Sequence, residues 1–308
     1  MKTAFVFPGQ GSQSVGMGKE FYDNFPVARQ TFEEVDDALN QKLSKIIFEG
    51  PLEELTLTAN AQPAIMTTSI AILRSLQHET GKKIADLCQY VAGHSLGEYT
   101  ALCAAESISL SDTARLVKLR GQTMQNAIAP GVGAMAAVLG MDLEVINQIL
   151  KEVSQNGLVC EIANDNCPGQ VVISGHLQAV DLAIEKIIAA GNKAIKLPVS
   201  APFHCSLMEP VKEVMLEALN NCKIISPKVP VIANVLADGI SEPDHIINAL
   251  VEQISGMVRW RESIITLKEL EVENITEVGA GKVLSGINKR IDGSLNLRNI
   301  QSINDIKS

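Results

Sequence analysis

Residues 90–105 pass from a short apolar run, Tyr90-Val91-Ala92, through Gly93-His94-Ser95-Leu96-Gly97 into Glu98-Tyr99-Thr100-Ala101-Leu102-Cys103-Ala104-Ala105. No other stretch constrains the fold as much. An apolar run ended by glycine reads as a buried strand, and Glu98–Ala105 reads as the first turns of a helix. A serine between them is forced into a tight turn for which the flanking glycines leave room. Its hydroxyl is pushed out at the helix N-terminus, where free N–H groups, including that of Leu96, can stabilise an oxyanion. This is the geometry of acyl transfer through a serine ester. A glycine-serine turn without chemistry is the plainer reading. Choosing between them requires a base, a second oxyanion donor and a substrate selector elsewhere in the chain.

Strand-like and helix-like segments alternate along the chain, so an α/β fold with a largely parallel sheet is expected. Strands are predicted at Thr3–Phe7, Gln89–Ala92, Val229–Val235, Asn274–Val278 and Leu297–Ser302. Helices are predicted over Pro63–Gln77 and from a Ser111 N-cap to about Ala127. One segment stands apart. Ala134–Leu139 is strand-like, and Asp142 can cap a helix to about Val153. Leu158–Ala163 is a strand, and Asn164-Asp165-Asn166-Cys167-Pro168-Gly169 is dense in turn residues. Val171–Ser174, a helix over Leu177–Ala190 stopped by Gly191, and Lys193–Leu197 complete a β-α-β-β-α-β order, the split-βαβ pattern. The expected organisation is a discontinuous larger domain, 1–127 with 198–308, and a small inserted domain, 128–197.

With 46% hydrophobic and 20% charged residues, the 308-residue chain has an ordinary globular composition. No run approaches the ~18 apolar residues of a membrane span. Pro8-Gly9 ends the apolar stretch after Lys2 too early for a secretory signal. The six cysteines have no C-x-x-C spacing and read as reduced thiols, so a cytoplasmic location is expected. A net charge of −9 argues against nucleic acid, and an acidic partner would have to meet a local basic patch. Residues 281–298 are such a stretch. They hold Lys282, Lys289, Arg290 and Arg298 against Asp292 alone.

Of the five histidines, His78, His176 and His245 lie at polar helix ends or turns, and His94 should project away from its neighbour Ser95. His204 sits in a neutral stretch just past the inserted segment. It is either a base for Ser95 or a buried histidine bonded to backbone. Pro8-Gly9-Gln10-Gly11 follows the first strand directly. In a parallel sheet its loop and the elbow face one crevice, so the Gln10 N–H is a candidate second oxyanion donor. A phosphate-binding glycine loop is the weaker alternative. Arg120 falls between Leu116 and Met124 on the apolar flank of its helix. It either snorkels or aims at a negative group in a dry place.

Together, Phe5–Gln13, Gly93–Tyr99, Arg120-Gly121-Gln122, Ala163-Asn164 with Pro168–Gly175, Ser200–His204 with Leu207-Met208, and Glu277-Val278-Gly279 with Gly281–Leu284 resemble the malonyl-CoA:acyl carrier protein transacylases of bacterial type II fatty-acid synthesis. The resemblance spans essentially the whole chain. It implies a hydrolase-like α/β domain with an inserted ferredoxin-like domain. By the same resemblance Ser95 is the nucleophile, His204 its base, Gln10 and Leu96 the oxyanion hole, and Arg120 the clamp on the free malonyl carboxylate. Gln253 matches the position whose backbone carbonyl orients the histidine. Asn164 matches a position near the acyl pocket, and Phe203 resembles the malonyl-selecting form. Malonyl-CoA and an acidic acyl carrier protein are the implied partners, with Lys282, Lys289 and Arg290 as candidate docking residues. No metal or cofactor is called for, because the CoA thioester is itself the substrate. A monomer is expected. An esterase and a non-enzymatic carrier-binding protein are the competing readings, separable by transfer against hydrolysis and by a malonyl adduct.

Overall fold

A computed structural model describes residues 1–199 and 201–307, and Ser200 of the sequence motif lies outside the described residues. Two sheets carry the chain. The larger has six strands in the order β10-β9-β1-β2-β7-β8. These are β1 (Lys2–Phe7), β2 (Tyr90–Gly93), β7 (Val231–Ala233), β8 (Asp238–Ile240), β9 (Val272–Val278) and β10 (Asn296–Ile300). All neighbours in it run parallel except β7 and β8. Parallel strands buried on both faces need continuous apolar runs. Ala4, Val6, Val91, Ala92, Val231 and Ile232 are accordingly fully buried.

The smaller sheet is antiparallel, in the order β4-β5-β3-β6. Its strands are β3 (Gly133–Leu139), β4 (Cys160–Cys167), β5 (Gln170–His176) and β6 (Lys193–Lys196), with helices Leu143–Val153 and Leu177–Ala189 packed on one face. Numbered along this segment, the strand order is two-three-one-four, which is the ferredoxin-like arrangement. The α/β class with a largely parallel sheet and a ferredoxin-like small domain therefore stands.

Two local expectations change. Asn164–Cys167 is the end of β4, and only Pro168-Gly169 turns. Turn-prone side chains are held extended there because the larger body supplies their partners. Asp165 N–H donates to Val258 O at 3.0 Å, and the Asp165 carboxylate meets Arg261 at 2.8 Å. The strand accommodates them with two register irregularities against β5. The second change concerns the helix cap. Ser109, not Ser111, caps helix Leu110–Asn126, its Oγ accepting from Asp112 N–H at 3.1 Å.

Register places the site. Phe7 pairs with Gly93, so β1 and β2 end level. His94 N–H extends the ladder onto Phe7 O at 3.0 Å. The loop after β1 and the turn after β2 thus leave the sheet side by side.

Candidate active site

The turn after β2 is close-packed at its glycines. A Cβ on Gly93 would lie 1.8 Å from Gly97 O, and one on Gly97 would lie 2.4 Å from Phe7 O. Between them Ser95 adopts φ 54°, a strained value for a side-chain-bearing residue. Asn234, the residue after β7, holds it there. Its Oδ1 accepts from Ser95 N–H at 2.8 Å, and its Nδ2 donates to Gly93 O at 2.7 Å. Helix Leu96–Ala104 begins at the next residue. The Leu96 N–H has no intrahelical acceptor, and neither it nor the Gln10 N–H makes a hydrogen bond among the described residues.

Ser95 Oγ lies 2.7 Å from His204 Nε2 and accepts from an Arg120 guanidinium N–H at 3.0 Å. His204 Nδ1 lies 2.8 Å from Gln253 O. A carbonyl can only accept, so Nδ1 carries the proton and Nε2 is the acceptor for the serine hydroxyl. Burial, and then the Arg120 charge, push the His204 pKa down to about 3, so the ring is neutral at physiological pH and its Nε2 lone pair is free to accept. No acid faces Nδ1. The histidine is oriented by the backbone.

Arg120 is 1% exposed and does not snorkel. Its guanidinium donates to Gln62 Oε1 and Gln253 Oε1, each at 2.9 Å, and stacks 5.7 Å from the Tyr99 ring centroid. Burial lowers its pKa while Tyr99 and Glu98 raise it. Ser95, His204 and Arg120 open onto one cavity of about 300 Å³, lined also by Gln10, Leu96, Asn164 and Phe203.

A serine bonded to a neutral histidine beside a buried arginine is acyltransferase geometry, and comparison with known proteins agrees. The acyl transferase domain family matches residues 4–287. A malonyl CoA-acyl carrier protein transacylase of Bacillus subtilis is 49% identical over 295 residues, which are 96% of this chain and 92% of that one. The chain belongs to the malonyl-CoA–acyl carrier protein transacylase family. The crystal structure of an acyl-carrier-protein S-malonyltransferase from Bartonella henselae has a TM-score of 0.97 to it at 48% identity, covering 100% of this chain and 98% of that one. A malonyl-transacylase in complex with a type II PKS acyl-carrier protein has a TM-score of 0.95 at 40% identity, covering 100% of this chain and 98% of its own.

In this member of the transacylase family, the other positions singled out in the sequence have distinct placements. Gln253 is wholly buried and does not line the cavity. It meets the cavity-lining residues instead, its carbonyl on His204 and its Oε1 on Arg120. His94 points away from the Ser95 hydroxyl, as expected, to Asn166 Oδ1 at 2.8 Å, and its ring packs on Trp260. Lys282 and Lys289 are exposed on or beside helix Val283–Ile291, whose Val283, Leu284 and Ile287 wall the cavity. Arg290 is less free than the sequence suggested. It donates to Gln170 Oε1 at 2.7 Å and Pro168 O at 3.0 Å, tying that helix to the β4–β5 turn.

Three residues were missed in the sequence: Asn234, Gln62 and Glu98. Asn234 directly follows an apolar strand at the sheet edge that carries the elbow, a position that could have drawn attention. Glu98 stands alone among apolar residues in the first helical turn. Its Oε2 accepts from Gln253 Nε2 at 2.7 Å and Asn234 N–H at 3.0 Å, while burial pushes its pKa up to about 7. Gln62 had no sequence signal. Among the described residues no helix is long and apolar enough to cross a membrane.

Proposed function

We propose that Ser95 attacks the thioester carbonyl of malonyl-CoA while His204 Nε2 takes its proton. The observation that carries this is the serine oxygen shared between His204 and Arg120. Attack forms the Oγ–C bond, and the carbonyl electron pair moves onto oxygen between the N–H groups of Gln10 and Leu96. As the tetrahedral species collapses, the C–S bond breaks. His204 returns its proton to the sulfur, and CoA leaves as a thiol. The thiol of the carrier's phosphopantetheine then enters and reverses the steps, so malonyl-CoA and acyl carrier protein exchange through malonyl-Ser95 and supply fatty-acid elongation.

Arg120 holds the free carboxylate of the malonyl group. Its N–H already reaches the serine oxygen, and the carboxylate carbon lies only two bonds beyond the ester carbonyl. Phe203 and Asn164 bound the acyl group on the cavity wall. Lys282 and Lys289 supply local positive potential for an acidic carrier, with Arg290 contributing charge while it braces the wall. The protein acts as a cytoplasmic monomer, with a catalytic domain of residues 1–127 and 198–308 and a small domain of 128–197. Incubation with malonyl-CoA and no carrier, read by intact mass, tests the chemistry. One malonyl group should appear on Ser95, and none on Ser95→Ala. An adduct that persists on the variant moves the nucleophile elsewhere.

A further inference from the structure

The N–H groups of Gln10 and Leu96 belong to two peptide units, Gly9–Gln10 and Ser95–Leu96. A trans peptide is a rigid plane whose C=O and N–H point in opposite directions, so whatever holds the carbonyl aims the N–H. The Ser95–Leu96 unit is held twice, because Ser95 O accepts from Gln253 Nε2 and from Glu98 N–H, each at 3.0 Å. The Gly9–Gln10 unit lies in a loop and needs another device. Gly9 packs so closely on the elbow that a Cβ there would lie 2.6 Å from His94 O. Gly11, on the other side of Gln10, takes φ 102°. Two glycines bring this peptide up to the elbow, and the same freedom leaves it easy to rotate. The Gln10 side chain is a loose anchor, with Nε2 3.4 Å from Thr58 Oγ1. Ser12 is a firm one. Its Oγ donates to Gly9 O at 2.9 Å, it is 9% exposed, and it does not line the cavity.

We propose that Ser12 is a positioning residue for the oxyanion hole: its hydroxyl fixes the Gly9–Gln10 peptide so that the Gln10 N–H faces the reacting carbonyl. The proposal deepens the reading of Gln10 as an oxyanion donor and rests on it. The bond at Gly9 O acts in two ways. Rotation of the peptide would break it and turn a carbonyl oxygen, an acceptor, toward the oxygen that gains negative charge. A proton donated to the carbonyl also polarises the amide, which makes its N–H a stronger donor. Both effects grow with the charge on the substrate oxygen, which is small in the bound thioester and large in the transition state. Ser12 therefore acts on the rate of Ser95 acylation and hardly at all on the binding of malonyl-CoA. It does so through the backbone, without touching substrate.

Two measurements on wild type, Ser12→Ala and Ser12→Thr test this. The first is single-turnover acylation by malonyl-CoA, read by rapid-quench intact mass over a range of concentrations. Unfolded protein lowers the amplitude and leaves the rate constant alone. Ser12→Ala should lower the saturating rate about tenfold, a fraction of the roughly 10²–10³-fold that loss of a whole oxyanion donor costs, with the half-saturating concentration unchanged. The second is the infrared stretch of the malonyl-Ser95 ester carbonyl, isolated as a difference spectrum between carbon-12 and carbon-13 at that atom. Hydrogen bonds to an ester carbonyl lower its frequency. The band should be low in wild type, higher and broader in Ser12→Ala, and back near the wild-type position in Ser12→Thr, which keeps the hydroxyl. A lowered wild-type band that Ser12→Ala leaves in place overturns the Ser12 proposal, whatever the rate does, and the oxyanion reading stands. A Ser12→Thr band as high as that of Ser12→Ala overturns it too, since the hydroxyl is then not the cause. A wild-type band at the position of an ester without hydrogen bonds fails the oxyanion reading itself.

Discussion

At the scale of single residues, the site is an arrangement of protons. Arg120 gives one to Ser95 Oγ, and Gln253 O takes the one on His204 Nδ1, which leaves a single direction for the serine hydroxyl. His204→Ala should therefore slow loading of Ser95 by roughly 10²–10⁴-fold while the fold survives, as stopped-time mass spectrometry would record. Near-normal loading would return His204 to a structural role. Glu98 carries a separate, pH-dependent consequence. Its pKa is raised from 4.5 to about 7 by burial. Between those values the folded protein holds a proton that the unfolded chain releases, so this carboxyl's contribution to stability declines as pH rises through that window. Glu98→Gln cannot titrate there. The Tm difference between variant and wild type should shift in the variant's favour from about pH 4.5 to above 7, measured by thermal melts across that range. A pH-independent difference would mean that the carboxyl is not perturbed.

At the scale of elements, the strand–turn–helix was readable because glycine spacing and apolar runs are local properties. The structure adds why both glycines are needed: each faces backbone, and backbone cannot step aside. Gly97→Ala should cost about 3 kcal/mol or more, beyond ordinary overpacking, because its Cβ would press on Phe7 O. Chemical denaturation measures it, and a cost under about 1 kcal/mol would show that the helix shifts freely. The β4 end was misread for the opposite reason. Asn164-Asp165-Asn166 has the composition of a turn, and only its partners on other elements make it a strand. Val258 N–H donates to Ala163 O at 2.8 Å, Asp165 pairs with Arg261, and Asn166 meets His94. All of these partners are remote from it in sequence, the nearest 72 residues away. Ser109 and Ser111 are both acceptable caps, and which one serves depends on where the helix docks.

At the scale of the whole molecule, one face of the cavity belongs to each sheet. The β4–β5 pair brings Asn164, Asn166, Gln170 and Val172 to it, and the larger body brings the serine, the histidine and the arginine. Arg290 crosses the joint at Gln170 and Pro168. Charge reversal at Lys289 and at Arg290 should therefore differ in steady-state kinetics at low salt. Lys289→Glu should raise the KM for carrier protein more than that for malonyl-CoA, and weaken the salt dependence of transfer. Arg290→Glu should raise both, because it also frees the wall. Equal profiles for the two variants would remove the brace. Carrier kinetics unchanged in Lys289→Glu would leave that lysine a solvated surface charge.

The sequence by itself determined the elements that depend on near neighbours: the parallel-sheet class, the inserted β-α-β-β-α-β segment, and the elbow that presents Ser95. It also supplied candidates for its partners, since His204 stood out by its neutral stretch and Arg120 by its place on an apolar helix flank. Only the tertiary structure decided what those side chains do. Ser95 is 109 residues from His204 and 25 from Arg120, and Gln253 is 158 away from the serine whose carbonyl it binds. Nothing in local periodicity registers such distances. The roles of Asn234, Glu98 and Gln62 were invisible for the same reason. A buried polar residue is defined by the partner that satisfies it, and here each partner arrives from another part of the chain.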